Sequence, residues 1–108
     1  MSRLRILIAA LVIAAGPSMA EQFEAGLAAN VMQDYATAMR TWLPLAQSGN
    51  APAQYHVGVM YANGQGAPRD DHQAVFWYRK AADQGNASAY YNLGFMYENG
   101  RGVPEKDQ

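Results

Sequence analysis

The chain has 108 residues, half of them hydrophobic, and no cysteine. Its formal net charge of −1 argues against a nucleic-acid partner, since such partners are bound through strongly basic surfaces. The lack of cysteine excludes disulfides and the lipid-modified N-terminal cysteine of bacterial lipoproteins, so the fold must be stabilised by packing.

The first predicted element is a secretory signal peptide over residues 1–20. Arg3 and Arg5 precede an apolar run over residues 6–15, and small residues lead up to Ala20, as signal peptidase requires. We expect cleavage after Ala20, which leaves six basic and nine acidic side chains and a net charge of −3. An uncleaved anchor is disfavoured because the run is shorter than the roughly 20 residues that span a bilayer. A periplasmic or secreted protein is therefore expected, with no stable membrane insertion after cleavage.

A repeat dominates the remainder of the chain. Residues 49–72 match residues 85–108 at 13 of 24 positions, a period of 36 residues. The stretch MYANGQGAP at 60–68 returns as MYENGRGVP at 96–104. A fixed period of this length predicts stacked supersecondary units.

The first half of the unit is predicted to be a helix over residues 51–63. Asn50 is a suitable N-cap, and Pro52 is tolerated in the first turn. Apolar residues then recur at helical spacing. Gly64 follows as a left-handed C-cap.

The second half is predicted to be a helix over residues 71–84. Pro68 prevents the helix from resuming too early, Asp70 caps it, and Gly85 ends it. The cycle then restarts with a helix over residues 87–99. The predicted fold is all-α, built from helix pairs.

The Gly-rich stretch between the helices raises the alternative of a phosphate-binding loop. Such a loop opens directly into a helix and carries a Lys followed by Ser or Thr. Here Gly64 and Gly66 follow a helix end without that Lys, as do their repeats at Gly100 and Gly102. The spacing therefore favours a turn that serves the repeat.

Residue types and spacing across the 36-residue unit resemble the Sel-one-like repeat (SLR) family of tetratricopeptide-like proteins. The carrying residues are Ala53, Gln54, Tyr55, Gly58, Met60, Tyr61, Gly64, Gln65, Gly66, Pro68, Asp70, Ala74, Trp77, Tyr78, Lys80, Ala81, Ala82, Gln84 and Gly85. The resemblance implies an α/α solenoid of about two and a half units. Residues 21–49 would form an atypical capping helix pair, 50–85 a complete repeat and 86–108 a partial one.

Two features depart from the repeat pattern. Pro44 falls inside a predicted second helix, where proline costs about 3 kcal/mol and kinks the axis, so a bend or an early change of direction is expected near Trp42. The sequence also stops where the next second helix should begin. We therefore expect that the sequence is a fragment of a longer protein or that something else covers helix 87–99, self-association being one possibility.

Three pairs of residues that differ between the two copies of the first helix fall together on one narrow face, with the pair Ala62 and Glu98 beside them. The three pairs are Pro52 and Ser88, His56 and Asn92, and Val59 and Phe95. Packing positions should repeat, whereas contacts with solvent or a partner need not. In the resembled family the first helices line the concave interaction surface, and the same is implied here. The predicted partner-binding residues are His56, Val59, Asn92, Phe95 and Glu98. Ordinary solvent exposure of these positions is the alternative.

Other kinds of site are weakly indicated. The two histidines are 16 residues apart, so no metal site is predicted, and no cofactor is expected. The aromatic residues recur at helical spacing and are interpreted as hydrophobic core, in preference to a sugar-binding platform. These aromatics are Tyr55, Tyr61, Trp77, Tyr78, Tyr91 and Tyr97.

The predicted function is a non-catalytic module that binds a protein or peptide, an adaptor or scaffold in the bacterial envelope. No serine lies in a hydrolase motif such as GxSxG or SxxK. A cysteine-rich branch of the resembled family is associated with β-lactam binding and slow hydrolysis. An envelope enzyme of that type is the alternative, and it is disfavoured because the chain has no cysteine.

Overall fold

A computed structural model describes residues 16–104. The arginines and the apolar run of the predicted signal peptide lie outside the described residues. Within the described part the chain forms helices and no strand, which confirms the predicted all-α fold class. The helices are α1 (Met19–Val31), α2 (Tyr35–Gln47), α3 (Ala51–Asn63), α4 (Asp71–Asp83) and α5 (Ala87–Glu98).

Every helix begins at a capping side chain. Each of these side chains accepts a hydrogen bond from the backbone N–H three residues further on, which satisfies one of the free amides at the helix start. The caps are Ser18, Asp34, Asn50, Asp70 and Asn86. The caps predicted from the sequence at Asn50 and Asp70 are confirmed.

Successive helices pack against one another, α1 on α2, α2 on α3, α3 on α4 and α4 on α5, with a smaller contact between α3 and α5. Two hydrophobic clusters result. The first contains the fully buried Trp42 together with Val57 and Met60. The second surrounds Tyr78 and Met96. The core is thus a row of contacts between neighbours, as expected for a solenoid.

The first hairpin, α1 with α2, resembles the later repeat but has a shorter turn. Shifted by 32 residues, Gln22, Phe23 and Gly26 align with Gln54, Tyr55 and Gly58. Only residues 32–34 separate α1 from α2, whereas residues 64–70 separate α3 from α4. A search at a constant 36-residue period misses this match.

The start of α1 includes residues assigned to the signal peptide. Ser18 and Glu21 form a capping box, in which each side chain accepts a hydrogen bond from the other's backbone N–H. The predicted cleavage point after Ala20 therefore lies in the first turn of this helix.

Helix α2 runs through Pro44 and ends at Gln47. The chain does not leave the helix at the proline. The proline ring lies on an exposed position, while Leu45 and Ala46 are buried. Packing of the last turn against the core keeps it helical.

The Gly-rich turns join neighbouring hairpins. Gly64 has the predicted left-handed conformation, with φ of 67°. A Cβ on Gly66 would lie 2.5 Å from the Tyr35 carbonyl oxygen, and a Cβ on Gly102 would overlap the Asp71 carbonyl oxygen. Each turn therefore lies against the first residue of the preceding second helix, and this close approach requires glycine.

Candidate functional site

The two complete hairpins share a contact between an aromatic ring and a glycine. The Tyr78 ring lies against Gly58, where an added Cβ would be 2.7 Å from the ring. The Trp42 ring lies against Gly26 in the same way, and a Cβ there would overlap the indole. The corresponding glycine of α5, Gly94, has no atom within 4 Å of its Cβ position.

A cleft of about 390 Å³ lies between the first helices α3 and α5, above the second helix α4. Repeat-related residues face each other across it, since Val59 and Phe95 occupy the same position of successive units, as do Tyr55 and Tyr91. Tyr78 forms part of its floor and is almost completely buried. The cleft follows the face that sequence comparison predicted to bind a partner.

The structure brings three of the five predicted site residues together. Val59, Asn92 and Phe95 all line this cleft. Glu98 lies on the adjoining open face of α5, beside Phe95 and Gly94. His56 does not line the cleft.

His56 is instead packed against the first hairpin. Its ring stacks on Trp42 with centroids 4.5 Å apart and an angle of 18° between planes, and it also contacts Phe23 at 5.6 Å. Burial lowers the pKa of His56, because the charged imidazolium is disfavoured away from water. This histidine is a packing residue at the junction of two hairpins.

His56 and Asn92 occupy the same position of successive repeats, but each contacts a different ring. His56 faces the indole of Trp42, whereas Asn92 lines the cleft beside the phenol of Tyr78. Burial raises the pKa of Tyr78, and the contact with Asn92 opposes that rise. The residue at this position therefore differs between the two copies because each copy contacts a different ring of the preceding second helix.

Arg101, which sequence reasoning did not identify, closes one end of the cleft. Its guanidinium donates two hydrogen bonds to Asp71, at 2.8 and 3.1 Å, and one of 3.0 Å to the Ala62 carbonyl oxygen. Asp71 also accepts from Arg69. Hydrogen bonds from Arg101 and Arg69 hold the pKa of Asp71 well below its usual range. One difference between the copies could have pointed to Arg101, since the equivalent position of the preceding repeat is Gln65.

The interpretation of the aromatic residues as core is correct for α4 and wrong for α5. Trp77 and Tyr78 are 7% and 3% exposed. Tyr91 is 76% exposed and Tyr97 38% exposed, because no second helix lies against the outer face of α5 in the described part of the chain. The hydroxyl of Tyr97 accepts a hydrogen bond from Arg79.

The cleft provides shape and hydrogen bonds. Its walls are aromatic and aliphatic, and its charged member, Arg101, is already paired with Asp71. Among residues 16–104, no three His, Asp or Glu side chains are grouped as metal ligands would be. In the same range no helix combines the length and hydrophobicity needed to cross a bilayer.

Comparison with known proteins agrees with this architecture. The Sel1 repeat model matches residues 51–86 and 87–108, more than half of the chain. A protective antigen of uropathogenic Escherichia coli displaying an SLR fold is 39% identical, with a TM-score of 0.75, over 83% of this chain and 20% of that one. A Sel1 repeat protein from Oxalobacter formigenes is 33% identical, with a TM-score of 0.72, over 79% of this chain and 34% of that one. The chain thus spans between a fifth and about a third of the length of these relatives. The search of curated proteins gave no match.

Proposed function

This chain belongs to the Sel1 repeat family, and from that premise we propose that it binds a protein or peptide in the cleft between α3 and α5. Sel1 repeat proteins generally mediate protein–protein interactions and are generally non-catalytic. The proposed module works by shape and hydrogen bonding, with no bond-making step. It acts as an adaptor or scaffold.

The observation that carries the proposal is the surface around Phe95. Its side chain is 48% exposed, although it lines a concave cleft with Tyr91, which is 76% exposed. Exposed aromatic side chains in a concavity supply large contact area at low entropic cost, and they are enriched at binding hot spots. Asn92 adds a hydrogen-bonding group to the same wall, and Asn63 adds one to the opposite wall on α3.

We place this activity in the bacterial periplasm or outside the cell. The proposal rests on the sequence pattern of residues 1–20, with its arginines, apolar run and small residues. The β-lactam-binding alternative finds no support in the family match or in the relatives.

A matched pair of aromatic substitutions tests the proposal. Phe95→Ala should weaken capture of specific partners from an envelope extract, measured by quantitative mass spectrometry against the wild-type chain. Phe76→Ala is the control. Phe76 is 47% exposed, nearly the same as Phe95, but it lies on the second helix α4 and does not line the cleft. Both variants should keep the wild-type circular dichroism spectrum. Equal loss of capture by both variants, or by neither, would contradict the assignment of the cleft.

A further inference from the structure

Arg101 has hydrogen-bonding capacity that its ion pair with Asp71 does not use. A guanidinium carries five N–H groups. Nε and Nη2 donate to the Asp71 carboxylate at 3.1 and 2.8 Å, and Nη2 also donates to the Ala62 carbonyl oxygen at 3.0 Å. No residue of the range 16–104 accepts a hydrogen bond from the two N–H groups of Nη1. The side chain is 26% exposed and lines the cleft, so Nη1 remains available to a ligand.

This end of the cleft is positively charged. Arg101 is the only formally charged side chain among the residues that line the cleft. Its partner Asp71 is shared with Arg69, at 3.0 Å, so one carboxylate balances only one of two guanidinium groups. The charge of Arg101 also acts on the Tyr78 hydroxyl at the cleft floor, where it lowers the pKa and opposes the effect of burial. A ligand with a negative charge is therefore favoured here.

The corresponding place between α1 and α3 is filled. There the His56 ring stacks on Trp42 with centroids 4.5 Å apart. In the cleft the equivalent of His56 is Asn92, which has no ring to fill the space. The turn residue changes in the same copy, from Gln65 to Arg101. One copy thus combines an open space with a cation at its end, whereas the other has neither.

Arg101 also closes the cleft at one end. It belongs to the turn after α5, and its hydrogen bond to Ala62 reaches the last turn of α3. The guanidinium therefore bridges the two helices that form the walls. An extended ligand chain that lies between these walls cannot continue past the bridge, so it has to end there. A chain that ends in a protein C-terminus carries a carboxylate at that point.

We propose that the cleft binds the C-terminal residue of a partner protein. The free carboxylate would accept hydrogen bonds from Nη1 of Arg101, since charge-assisted pairs of this kind are strong and directional. The apolar side chain of that residue would lie between Val59 and Phe95, on opposite walls of the cleft. The inference rests on the proposed function and deepens it by naming the chemistry of the partner. A side-chain carboxylate is disfavoured because its main chain would have to pass the Arg101 bridge.

The probes are fluorescein-labelled hexapeptides, Gly-Ser-Gly-Ser-Gly-X, in which X is Leu, Val or Phe with a free C-terminal carboxylate. Each has a matched peptide that ends in a carboxamide. Binding to the full chain is measured by fluorescence anisotropy. We expect saturable binding of at least one acid peptide and about tenfold weaker binding of its amide, because the amide loses the charge-assisted hydrogen bonds.

Two variants separate recognition of the carboxylate from a structural role of Arg101. Arg101→Gln introduces the residue of position 65 and should weaken acid-peptide binding about tenfold, to the level of the amide. Asp71→Asn breaks the same ion pair but keeps the cation and removes a competing carboxylate, so it should strengthen acid-peptide binding about threefold. Neither variant should change the binding of the amide peptides. Circular dichroism and thermal unfolding check the fold of both.

The contrary outcomes differ from one another. Equal binding of acid and amide peptides, or no binding of any acid peptide, would overturn the carboxylate inference. Weaker acid-peptide binding in both variants would do the same, since a purely structural ion pair predicts that result. Binding of the amide of Gly-Ser-Gly-Ser-Glu-Leu as tightly as an acid peptide would show recognition of a side-chain carboxylate and reject the C-terminus. In each of these cases a loss of envelope capture in Phe95→Ala would leave the proposed function standing, whereas unchanged capture would remove both.

Discussion

Trp42 and Tyr78 determine which side chains can lie opposite them on the next helix. The indole is covered by the flat ring of His56, and the phenol hydroxyl has the amide of Asn92 beside it. The same rings also require glycine at positions 26 and 58. Each buried ring therefore constrains one residue on the first helix before it and one on the first helix after it. The residue on the following helix varies with the ring it contacts, whereas the glycine does not.

Replacing His56 with phenylalanine should remove part of the acid sensitivity of the fold. The unfolded chain binds a proton at this histidine with a pKa near 6.5, about the ordinary value, whereas the folded chain does so only at lower pH. Stability is therefore lost as pH falls below about 6.5. His56→Phe keeps a ring over Trp42 without a titratable group, so the free energy of unfolding should decline less between pH 7 and pH 5.

Chemical denaturation at several pH values measures this effect. His72→Gln is the control, because His72 is the other histidine of the chain and is exposed at the start of α4. That variant should keep the wild-type pH dependence. An unchanged pH dependence in His56→Phe would show that the burial of His56 does not contribute.

Alanine at positions 58 and 94 should have opposite effects on the stability of the free chain. At Gly58 the methyl group would press on the buried Tyr78 ring at 2.7 Å, and overpacking of this kind costs about 1–3 kcal/mol. At Gly94 there is space, so alanine should be neutral or stabilise by up to about 1 kcal/mol through helix propensity. Urea unfolding of the two variants gives both values. Equal destabilisation would mean that Gly94 is already covered in the free chain.

At the scale of elements, the turns and a buried amide connect one hairpin to the next. The Gln54 side chain donates to the Ala46 carbonyl oxygen at 3.1 Å and accepts from Gln84 at 2.8 Å. Gln84 also reaches the Gly49 carbonyl oxygen. On the opposite side, Arg101 connects the last turn to Asp71. Polar side chains therefore connect the helix ends to neighbouring helices, whereas aromatic rings pack between the helix centres.

Arg101→Gln should loosen the last turn from α4. Glutamine is the residue at the equivalent position 65, so the turn itself should still form. The variant loses two charge-assisted hydrogen bonds to Asp71 and one to Ala62. Because the ion pair is partly exposed, the expected loss is about 0.5–1 kcal/mol.

The pH dependence of that loss identifies its cause. The pKa of Asp71 is lowered in the folded chain by Arg101 and Arg69, so the stabilisation is present above the ordinary aspartate pKa of about 3.9 and is lost as pH falls below it. Arg69→Gln serves as a comparison, since Arg69 is exposed and pairs within its own turn. The stabilisation declines gradually as pH falls toward the lowered pKa of the folded chain. A loss of stability in Arg101→Gln that is as large at pH 2.5 as at pH 6 would exclude the ion pair as its source.

The sequence predicted these elements well where the repeat is regular. The helix expected over residues 51–63 is observed over the same range, and its caps are the expected ones. The match between α1 and α3 was missed because the turn after α1 is shorter, which changes the shift between them from 36 to 32 residues. The burial of His56 was missed because its partner Trp42 lies on a preceding helix, and stacking of hairpins is not visible in the pattern of one helix.

For the whole molecule, the open face of α5 makes stability uneven along the chain. Helix α3 lies between α2 and α4 and contributes five buried residues, whereas α5 contributes two, Ala89 and Met96. In a solenoid each unit is stabilised mainly by its neighbours. A helix with few buried contacts opens at lower free energy than the core helices. Local unfolding should therefore begin at the outer helices, α5 and also α1, in which only Gly26 is buried.

Native-state hydrogen exchange should show this gradient. Backbone amides of α5 should exchange at least tenfold faster than those of α3 under the same conditions, since opening α5 exposes little buried surface and leaves the other helices intact. The Gly94→Ala variant supplies an internal check, because greater helix propensity without new contacts should slow exchange in α5 and leave α3 unchanged. Equal protection of α3 and α5 in the free chain would mean that the hairpins unfold as one cooperative unit and that α5 is no less stable than α3.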